Sequence, residues 1–267
     1  MKTIKQGTQD AVVVTLKKEL ARLGYQTDTT NLFDEITRTT VIDFQKKQGL
    51  SADGIVGYNS WEKLFFADRP AGAKLSEEDF SLAARLLDCD TAAMKAVQEV
   101  ETGGRGGFFA AGKPAILFEG HVFWKQLKLR NKSPEKYAKA YPDIVYPKWD
   151  KKHYLGGLAE YTRLEKARKI DVDAANASAS WGMFQIMGFN HALCEQKDVA
   201  TFVNAMCASE RSQLLLFCRF IRHSALLHQA LKAKKWADFA RQYNGSAYAE
   251  NQYDKKLAKA YGSHSVK

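Results

Sequence analysis

Glu101, in the stretch AVQEVETGG (residues 96–104), is the residue whose position most strongly suggests chemistry. The sequence predicts a helix that begins at Thr91. Within it, Met94, Val97 and Glu101 are spaced as i, i+3 and i+7 and share a face that should point towards the core. Glu101 also lies in the last turn, where the helix dipole disfavours a carboxylate by ~0.3–1 kcal/mol. Because partial burial disfavours the anion further, the spacing predicts a carboxyl group that stays protonated near neutral pH.

A carboxylic acid held in the neutral form can donate a proton to the leaving oxygen of a glycosidic bond. The glycines that follow Glu101 let the backbone turn away and leave its side chain open to a cleft. On spacing alone, a surface glutamate at a helix end capped by glycine is the simpler interpretation. The catalytic hypothesis therefore depends on other segments of the chain.

Three further segments carry polar side chains suited to a sugar-binding cleft: SASWGMFQIMGFNH (178–191), RQYNG (241–245) and ILFEGHVFW (116–124). In the first, Ser180 and Gln185 stand among aromatic and apolar residues that are expected to form core. In the second, Tyr243 and Asn244 precede a glycine at a helix end. The third places Glu119 at the end of an apolar strand. Each segment alone is also compatible with a purely structural role.

A second carboxylate is needed if the chemistry follows the two-carboxylate design of many glycosidases. The candidates are Glu119, Glu160, Asp171 and Asp173. Glu160 can simply pair with Arg163 at i, i+3, which is worth ~0.2–0.5 kcal/mol on an exposed surface. Asp171 and Asp173 precede a small-residue helix that they can cap. Glu160 is favoured slightly over Glu119, and a mechanism with one glutamate stays open.

The elements that must position these residues are mostly helical. A boundary is expected near FADRPAGAKLSEED (66–79), where Pro70 and Gly72 interrupt the pattern and Ser76 with Asp79 resembles a capping start. Before it, the pattern indicates short helices closed by glycines. After it, the predicted helices span residues 77–88, 91–101, 120–128, 158–169, 199–208, 210–222, 225–234, 235–242 and 250–261.

The sequence between the second and third of these helices predicts the only strands. The glycine-rich TGGRGGFF and the apolar PAILFEG (114–120) indicate a small β-hairpin. The run LLLFCRFI (214–221) is apolar nearly all round and indicates a central buried helix. The expected domains are residues 1–66, a linker at 67–75, and a larger domain at 76–267.

Composition and charge restrict the classes of partner. The chain has 267 residues with 45% hydrophobic side chains, enough for a sizeable core. Its net charge is +10, and nearly all of the excess lies after residue 66. Such an excess attracts polyanions, either nucleic acid or an anionic cell envelope. No nucleic-acid recognition motif is present, so we expect no nucleic-acid partner.

The sequence lacks the features of a membrane protein, a secreted protein and a metalloprotein. No apolar run approaches the ~20 residues of a membrane span, so no membrane insertion is expected. The N-terminal stretch lacks the apolar core and cleavage site of a signal peptide, which predicts synthesis in the cytoplasm. The protein is expected to be a monomer. The four cysteines form no CxxC pair, and no HExxH or Cys/His cluster occurs. We expect neither a metal nor a cofactor.

The first part of the chain resembles the peptidoglycan-binding domain found at the ends of many cell-wall hydrolases. The segments that carry the resemblance are LARLGY (20–25), LFDEITRTTVIDFQKKQGL (32–50) and DGIVG (53–57). Physically, DGIVG is a turn that needs a glycine with φ > 0. Phe44 and Gln45 are expected to close the small core.

The order ETGG, SWGMFQIM and YNG resembles the lysozyme and lytic transglycosylase superfamily. PAILFEGHVFW and SASWGMFQIMGFN look like the N-acetylmuramidase domain of modular bacteriophage endolysins, over roughly residues 75–262. The resemblance implies a mostly α fold: a three-helix peptidoglycan-binding domain and a lysozyme-like domain with a small β-hairpin. It also implies that Glu101 is the proton donor, and that Ser180, Gln185, Tyr243 and Asn244 lie at the cleft.

The activity implied by the resemblance is hydrolysis of the β-1,4 bond between N-acetylmuramic acid and N-acetylglucosamine in bacterial peptidoglycan. The protein would act in the periplasm or on the cell wall after release from the host cytoplasm, and would contribute to host lysis. The closest alternative is a lytic transglycosylase, which forms anhydro-muramic ends. An alternative from another class is a non-catalytic protein that binds the cell wall.

Overall fold

The computed structural model describes residues 1–68, 74–103, 106–245 and 248–265. By its internal contacts the chain divides into two compact units, Met1–Ala71 with Ala84–Asp88, and Gly72–Ala83 with Cys89–Lys267. Most of the linker expected at 67–75 lies outside the described residues. The two units are described separately.

The first unit contains the three short helices that the sequence predicts. These helices are α1 (Ala11–Arg22), α2 (Glu35–Lys47) and α3 (Tyr58–Phe66). Aspartates begin the first two: Asp10 accepts a hydrogen bond from the Val12 amide, and Asp34 accepts one from the Thr37 amide. Helix α1 packs against both α2 and α3, and the core between them is built from aliphatic and aromatic side chains.

A buried amide closes this small core. Gln45 donates to the Ile55 carbonyl oxygen over 2.9 Å and accepts from the Gly54 amide over 2.9 Å. Gly54 has φ +72, so the turn DGIVG does use a glycine in the left-handed region. Phe44 is 1% exposed. The predicted role of these residues in the core is confirmed.

Helices account for most of the remaining chain. They are α4 (Glu77–Leu87), α5 (Thr91–Thr102), α6 (Gly120–Leu129), α7 (Glu135–Ala138), α8 (Glu160–Arg168), α9 (Val172–Ala177), α10 (Val199–Ala208), α11 (Glu210–His223), α12 (Ala225–Lys232), α13 (Trp236–Asn244) and α14 (Tyr253–Ser265). Short 3-10 helices add Lys151–His153, Gly157–Ala159 and Gly188–Cys194. The predicted helices differ from these bounds by a few residues at their ends, and α7 was not predicted.

Helix α11 is central, as its apolar run predicts. Leu214, Phe217 and Ile221 have no exposed surface. Helix α5 packs extensively against the C-terminal helix α14. The C-terminal end of α5 is set by Gly103, whose φ of 55° is left-handed and stops the helix directly after Glu101 and Thr102.

The strands form two small antiparallel sheets. A hairpin is present as β1 (Phe108–Ala110) and β2 (Lys113–Pro114). Its second strand ends at Pro114, so most of the segment predicted for that strand, PAILFEG (114–120), is not part of the hairpin. Gly104 and Arg105 of the predicted glycine-rich break lie outside the described residues. The next strand, β3 (Ile116–Phe118), pairs with β4 (Ala179–Trp181), which pairs in turn with β5 (Ile186–Met187). This three-stranded sheet was not predicted, and it brings the segment SWGMFQIM beside the strand that follows the hairpin.

Candidate active site

A groove of about 330 Å³ opens in the second unit beside the end of α5. Its walls come from the end of α5, the β1–β2 hairpin, strand β3, the turn at residues 156–157, and the β4–β5 turn. The lining residues are Glu101, Thr102, Gly106, Phe109, Ala115, Ile116, Leu117, Gly156, Gly157, Gly182, Met183 and Gln185. Among these described lining residues, Glu101 alone carries a titratable side chain, so any acid–base chemistry in the groove centres on it.

Burial raises the pKa of Glu101 to about 7. One hydrogen bond from the described residues opposes this effect, because Asn244 Nδ2 donates to Glu101 Oε1 over 3.2 Å and favours the carboxylate. The pKa of Tyr253 is raised by burial and, to a smaller degree, by the Glu101 charge. Glu101 lines an open groove. Because its pKa is about 7, its carboxyl group is protonated in about half of the molecules near pH 7.

Asn244 and Tyr243 lie at the end of α13 but contact different partners. Asn244 reaches Glu101, as described, and its Oδ1 has no hydrogen-bond partner in the described structure. Tyr243 instead donates from its hydroxyl to the Phe184 carbonyl oxygen over 2.6 Å, and its ring stacks on Phe239 with centroids 5.5 Å apart. The structure thus brings Asn244 to the acid and places Tyr243 behind the β4–β5 turn, where it supports the wall.

Ser180 and Gln185 form a connected pair with unequal access to the groove. Ser180 is 6% exposed, does not line the groove, and donates to Gln185 Oε1 over 2.7 Å. Gln185 does line it, and its Nε2 donates to the carbonyl oxygens of Gly182 and Ala115 over 2.8 and 3.3 Å. Its φ of 48° is left-handed, which is a strained conformation for a non-glycine residue. Gln185 is therefore placed to meet a ligand, and Ser180 is placed to orient Gln185.

Glu160, the favoured second carboxylate, is fully buried and hydrogen-bonded, so its oxygens are not available to a substrate in the groove. It has no exposed surface, and its Oε2 accepts from Arg163 Nη1 over 2.9 Å and from the Phe118 amide over 3.2 Å. Its Oε1 accepts from the amides of Leu155 and Gly156 over 2.6 and 3.0 Å. Four donors saturate this carboxylate. The contact with Arg163 that the i, i+3 spacing allows is present, but it is buried and connects α8 with β3 and with the turn at residues 155–156.

Glu119 does not line the groove with Glu101. Its Oε2 accepts a 2.6 Å hydrogen bond from the Tyr154 hydroxyl and lies 3.3 Å from His121 Nδ1. Burial lowers the pKa of His121, although the Glu119 charge opposes this effect. The other two candidates have structural contacts: Asp171 caps α9 by accepting from the Ala174 amide, and Asp173 lies in the first turn of the same helix.

Sequence reasoning missed several groove residues. Phe109, on β1, is 38% exposed and forms part of one wall. Gly156 and Gly157, in the opposite turn, both have positive φ, and a Cβ at either would meet no atom within 4 Å. The doublet in YLGGLA was a signal for an open, left-handed turn. Nothing local in the sequence connected that turn to Glu101.

Two searches of the described ranges gave negative results. No helix there is long and apolar enough to cross a membrane. No group of three or more His, Cys, Asp or Glu residues in those ranges is arranged to hold a metal ion.

A helical unit with small antiparallel sheets, and a groove in which a sheltered carboxyl stands at a helix end, define the class of lysozyme-like glycoside hydrolases. Comparison with family models agrees with that class. Residues 90–265 match the N-acetylmuramidase model, and residues 9–64 match the model of a peptidoglycan binding domain. The chain belongs to the N-acetylmuramidase family.

A solved structure supports the same assignment over both units. The crystal structure of Burkholderia AP3 phage endolysin shares 41% sequence identity with this chain, covers 100% of both chains, and gives a TM-score of 0.67. Comparison with curated protein sequences yields no match. The predicted mostly α fold, with a small peptidoglycan-binding domain followed by a larger lysozyme-like domain, is confirmed.

The raised pKa of Glu101 predicts a pH-dependent stability. The folded state holds its proton up to a pKa of about 7, whereas the unfolded chain releases it near the ordinary value of 4.5, so stability falls as pH rises through this window. The loss is at most about 3 kcal/mol above pH 7. Glu101→Gln should remove it. We expect the variant to unfold at higher urea concentration than wild type at pH 8 and at similar concentration at pH 4.5; equal midpoints at pH 8 would contradict the sheltered acid.

Proposed function

We propose that the protein is a peptidoglycan hydrolase of the lysozyme type, which cleaves the β-1,4 bond between N-acetylmuramic acid and N-acetylglucosamine with Glu101 as general acid. The observation that carries the proposal is the position of Glu101: it lines the groove, and burial raises its pKa to about 7. A general acid is most effective when its pKa lies near the working pH. The family assignment supports peptidoglycan as the polymer that is cleaved.

The geometry suggests how the proton moves. Neutral Glu101 donates its proton to the bridging oxygen as the bond between that oxygen and the anomeric carbon breaks. A water molecule then adds to the anomeric carbon, and the proton that it releases restores the neutral acid. Asn244 Nδ2 hydrogen-bonds to Glu101 Oε1 and stabilises the carboxylate formed in the first step.

The second step does not use a second carboxylate in this proposal. Glu160 is saturated by four donors, and Glu119 is held by Tyr154 outside the described lining. Gln185, which lines the groove, would contact the sugar, and Asn244 would act through Glu101. Ser180 and Tyr243 would support these two residues rather than touch the substrate.

The two domains have separate functions in this proposal. We assign residues 1–66 to peptidoglycan binding, 67–75 to a linker and 76–267 to catalysis. A tethered binding domain raises the local concentration of polymer at the groove. Nearly all of the net charge of +10 lies after residue 66, which favours an anionic wall or envelope. We propose a monomer that acts on the wall without inserting into a membrane.

The products released when the protein digests purified sacculi test the proposed reaction. Mass spectrometry should find fragments that end in reducing N-acetylmuramic acid, with about 10³-fold fewer such fragments from Glu101→Gln protein treated in parallel. Ends lighter by one water, the anhydro-muramic form, would instead identify a transglycosylase. Binding to sacculi without any glycan cleavage would identify a non-catalytic protein that binds the cell wall.

Asn244→Ala is expected to shift the pH dependence of cleavage. The acid must be protonated, so kcat falls as pH rises through the pKa of Glu101, about 7 in the wild type. The hydrogen bond from Asn244 lowers that pKa, and removing it should move the falling limb to higher pH. Gln242→Ala, on the exposed side of the same helix, is the control and should leave the limb in place. An unmoved limb in Asn244→Ala would refute the assigned contact.

A further inference from the structure

One fully buried amide in α11 connects two walls of the groove. Gln213 has no exposed surface. Its Oε1 accepts from the Met183 amide over 2.8 Å, in the β4–β5 turn. Its Nε2 donates to the Gly107 carbonyl oxygen over 3.2 Å, at the start of the β1–β2 hairpin, and to the Met206 carbonyl oxygen over 2.9 Å. Both donor hydrogens and the acceptor are used, which fixes the orientation of the amide.

The two walls are shaped around this side chain. A Cβ added to Gly107 would lie 2.1 Å from Gln213 Oε1, and one added to Gly182 would lie 2.8 Å from Gln213 Cδ. Gly182 also has φ +71, which glycine adopts freely. Glycines at both contact points allow the backbone of each wall to approach the amide. A change in the amide therefore changes the spacing of the walls.

A second side chain of α11, Glu210, bonds to the hairpin wall but not to the β4–β5 wall among the described residues. Glu210 Oε1 accepts from the Gly107 amide over 2.9 Å, and its Oε2 accepts from the Leu75 amide over 3.1 Å. In the part of the chain that the structure describes, Glu210 makes no hydrogen bond to the β4–β5 turn, whereas Gln213 bonds to both walls. Gln213 is thus the α11 side chain that bonds to both walls, in addition to the backbone bond in which the Gly182 amide donates to the Ala115 carbonyl oxygen over 2.7 Å.

We propose that Gln213 is a positioning residue for glycosidic cleavage: its buried amide sets the distance between the hairpin wall and the β4–β5 wall, and so the placement of the sugar against Glu101. The inference rests on the proposed function. Gln213 does not touch the substrate. It acts through Gly106 on one wall and through Met183 and Gln185 on the other, all of which line the groove.

The effect should fall on kcat more than on KM. A displacement of about 1 Å in a catalytic arrangement can cost about 100-fold in rate. Ground-state binding of a long polymer is spread over the rest of the groove and the N-terminal domain, which the substitution leaves intact. Loss of an interaction that matters mainly in the transition state lowers kcat and kcat/KM together.

Gln213→Met tests this, because methionine has similar length and no hydrogen-bonding amide. On soluble, un-crosslinked glycan strands at 25 °C we expect kcat to fall by about 30–100-fold and KM to change by less than about threefold. Ser178→Ala is the control. Ser178 is fully buried in the same unit, its hydroxyl donates to the Ala174 carbonyl oxygen, and it is not among the groove residues. It should lose stability and keep wild-type kcat.

Gly107→Ala is a second variant for the case in which Gln213→Met does not fold. Its new methyl group pushes the amide from the hairpin side and should also lower kcat with little change in KM. A folded Gln213→Met with lower thermal stability but wild-type kcat would show a merely structural residue and overturn the inference. If Glu101→Gln is inactive in the same assay, that result leaves the proposed function standing. Cleavage by Glu101→Gln at the wild-type rate would overturn both.

Discussion

Glu101→Gln should lower kcat for peptidoglycan cleavage by about 10³-fold, within the range that a positioned general acid contributes. Glutamine has nearly the same shape as protonated glutamic acid, so the groove and its contacts stay intact. It has no proton to donate to the leaving oxygen, and binding of the polymer should change little. A loss of this size corresponds to about 4 kcal/mol of transition-state stabilisation. Reducing ends released from sacculi per unit time measure it.

The matched control for this substitution is Glu99→Gln. Glu99 lies on the same helix, is half exposed, and pairs with His264 rather than facing the groove. The variant should clear sacculi at the wild-type rate. If Glu99→Gln and Glu101→Gln were equally active, the sheltered carboxyl would not be the acid, and its raised pKa would be only a cost to stability. Residual activity of Glu101→Gln should also show no falling limb near pH 7.

The sequence was sufficient for the parts of this site that depend on local periodicity. Glu101 was identified because Met94 and Val97 mark the buried face of α5, and the glycine after Thr102 marks where the helix ends. The resulting expectation, a carboxyl with a raised pKa, agrees with the burial found in the structure. Helix bounds were predicted within a few residues for the same reason.

Long-range pairing was beyond local patterns. Strand β3 was expected to belong to the hairpin, yet its partner is β4, in a segment whose aromatic and sulfur-containing residues also suit a helix core. The same limit explains Glu160. Its i, i+3 spacing with Arg163 predicts a contact but says nothing of the Phe118 amide, which comes from a distant strand, or of the Leu155 amide in the turn before α8. Ser180 is predicted to lie at the cleft, but its spacing in the sequence cannot show that its hydroxyl donates to Gln185 Oε1.

Glu160→Ala should lower the free energy of unfolding of the catalytic unit by about 3–5 kcal/mol, the cost of leaving one partner of a buried ion pair uncompensated. Arg163 would keep its charge in a site where it is 1% exposed. Calorimetry of the intact protein measures the change in the unfolding transition. Glu165→Gln is the control, because Glu165 pairs with Arg168 on the same helix at the surface, with its side chain 58% exposed. Such pairs are worth about 0–1 kcal/mol.

A double variant separates the charge from the hydrogen bonds. If the ion pair alone matters, Glu160→Met with Arg163→Met should recover most of the lost stability, as replacement of buried pairs by apolar side chains often does. We expect poor recovery, because Glu160 also accepts from the backbone amides of Phe118, Leu155 and Gly156. Each orphaned buried donor costs about 1–3 kcal/mol. Full recovery would show that these three bonds are dispensable; poor recovery, together with reduced kcat in the folded fraction, would show that Glu160 holds the glycine turn of the groove in place.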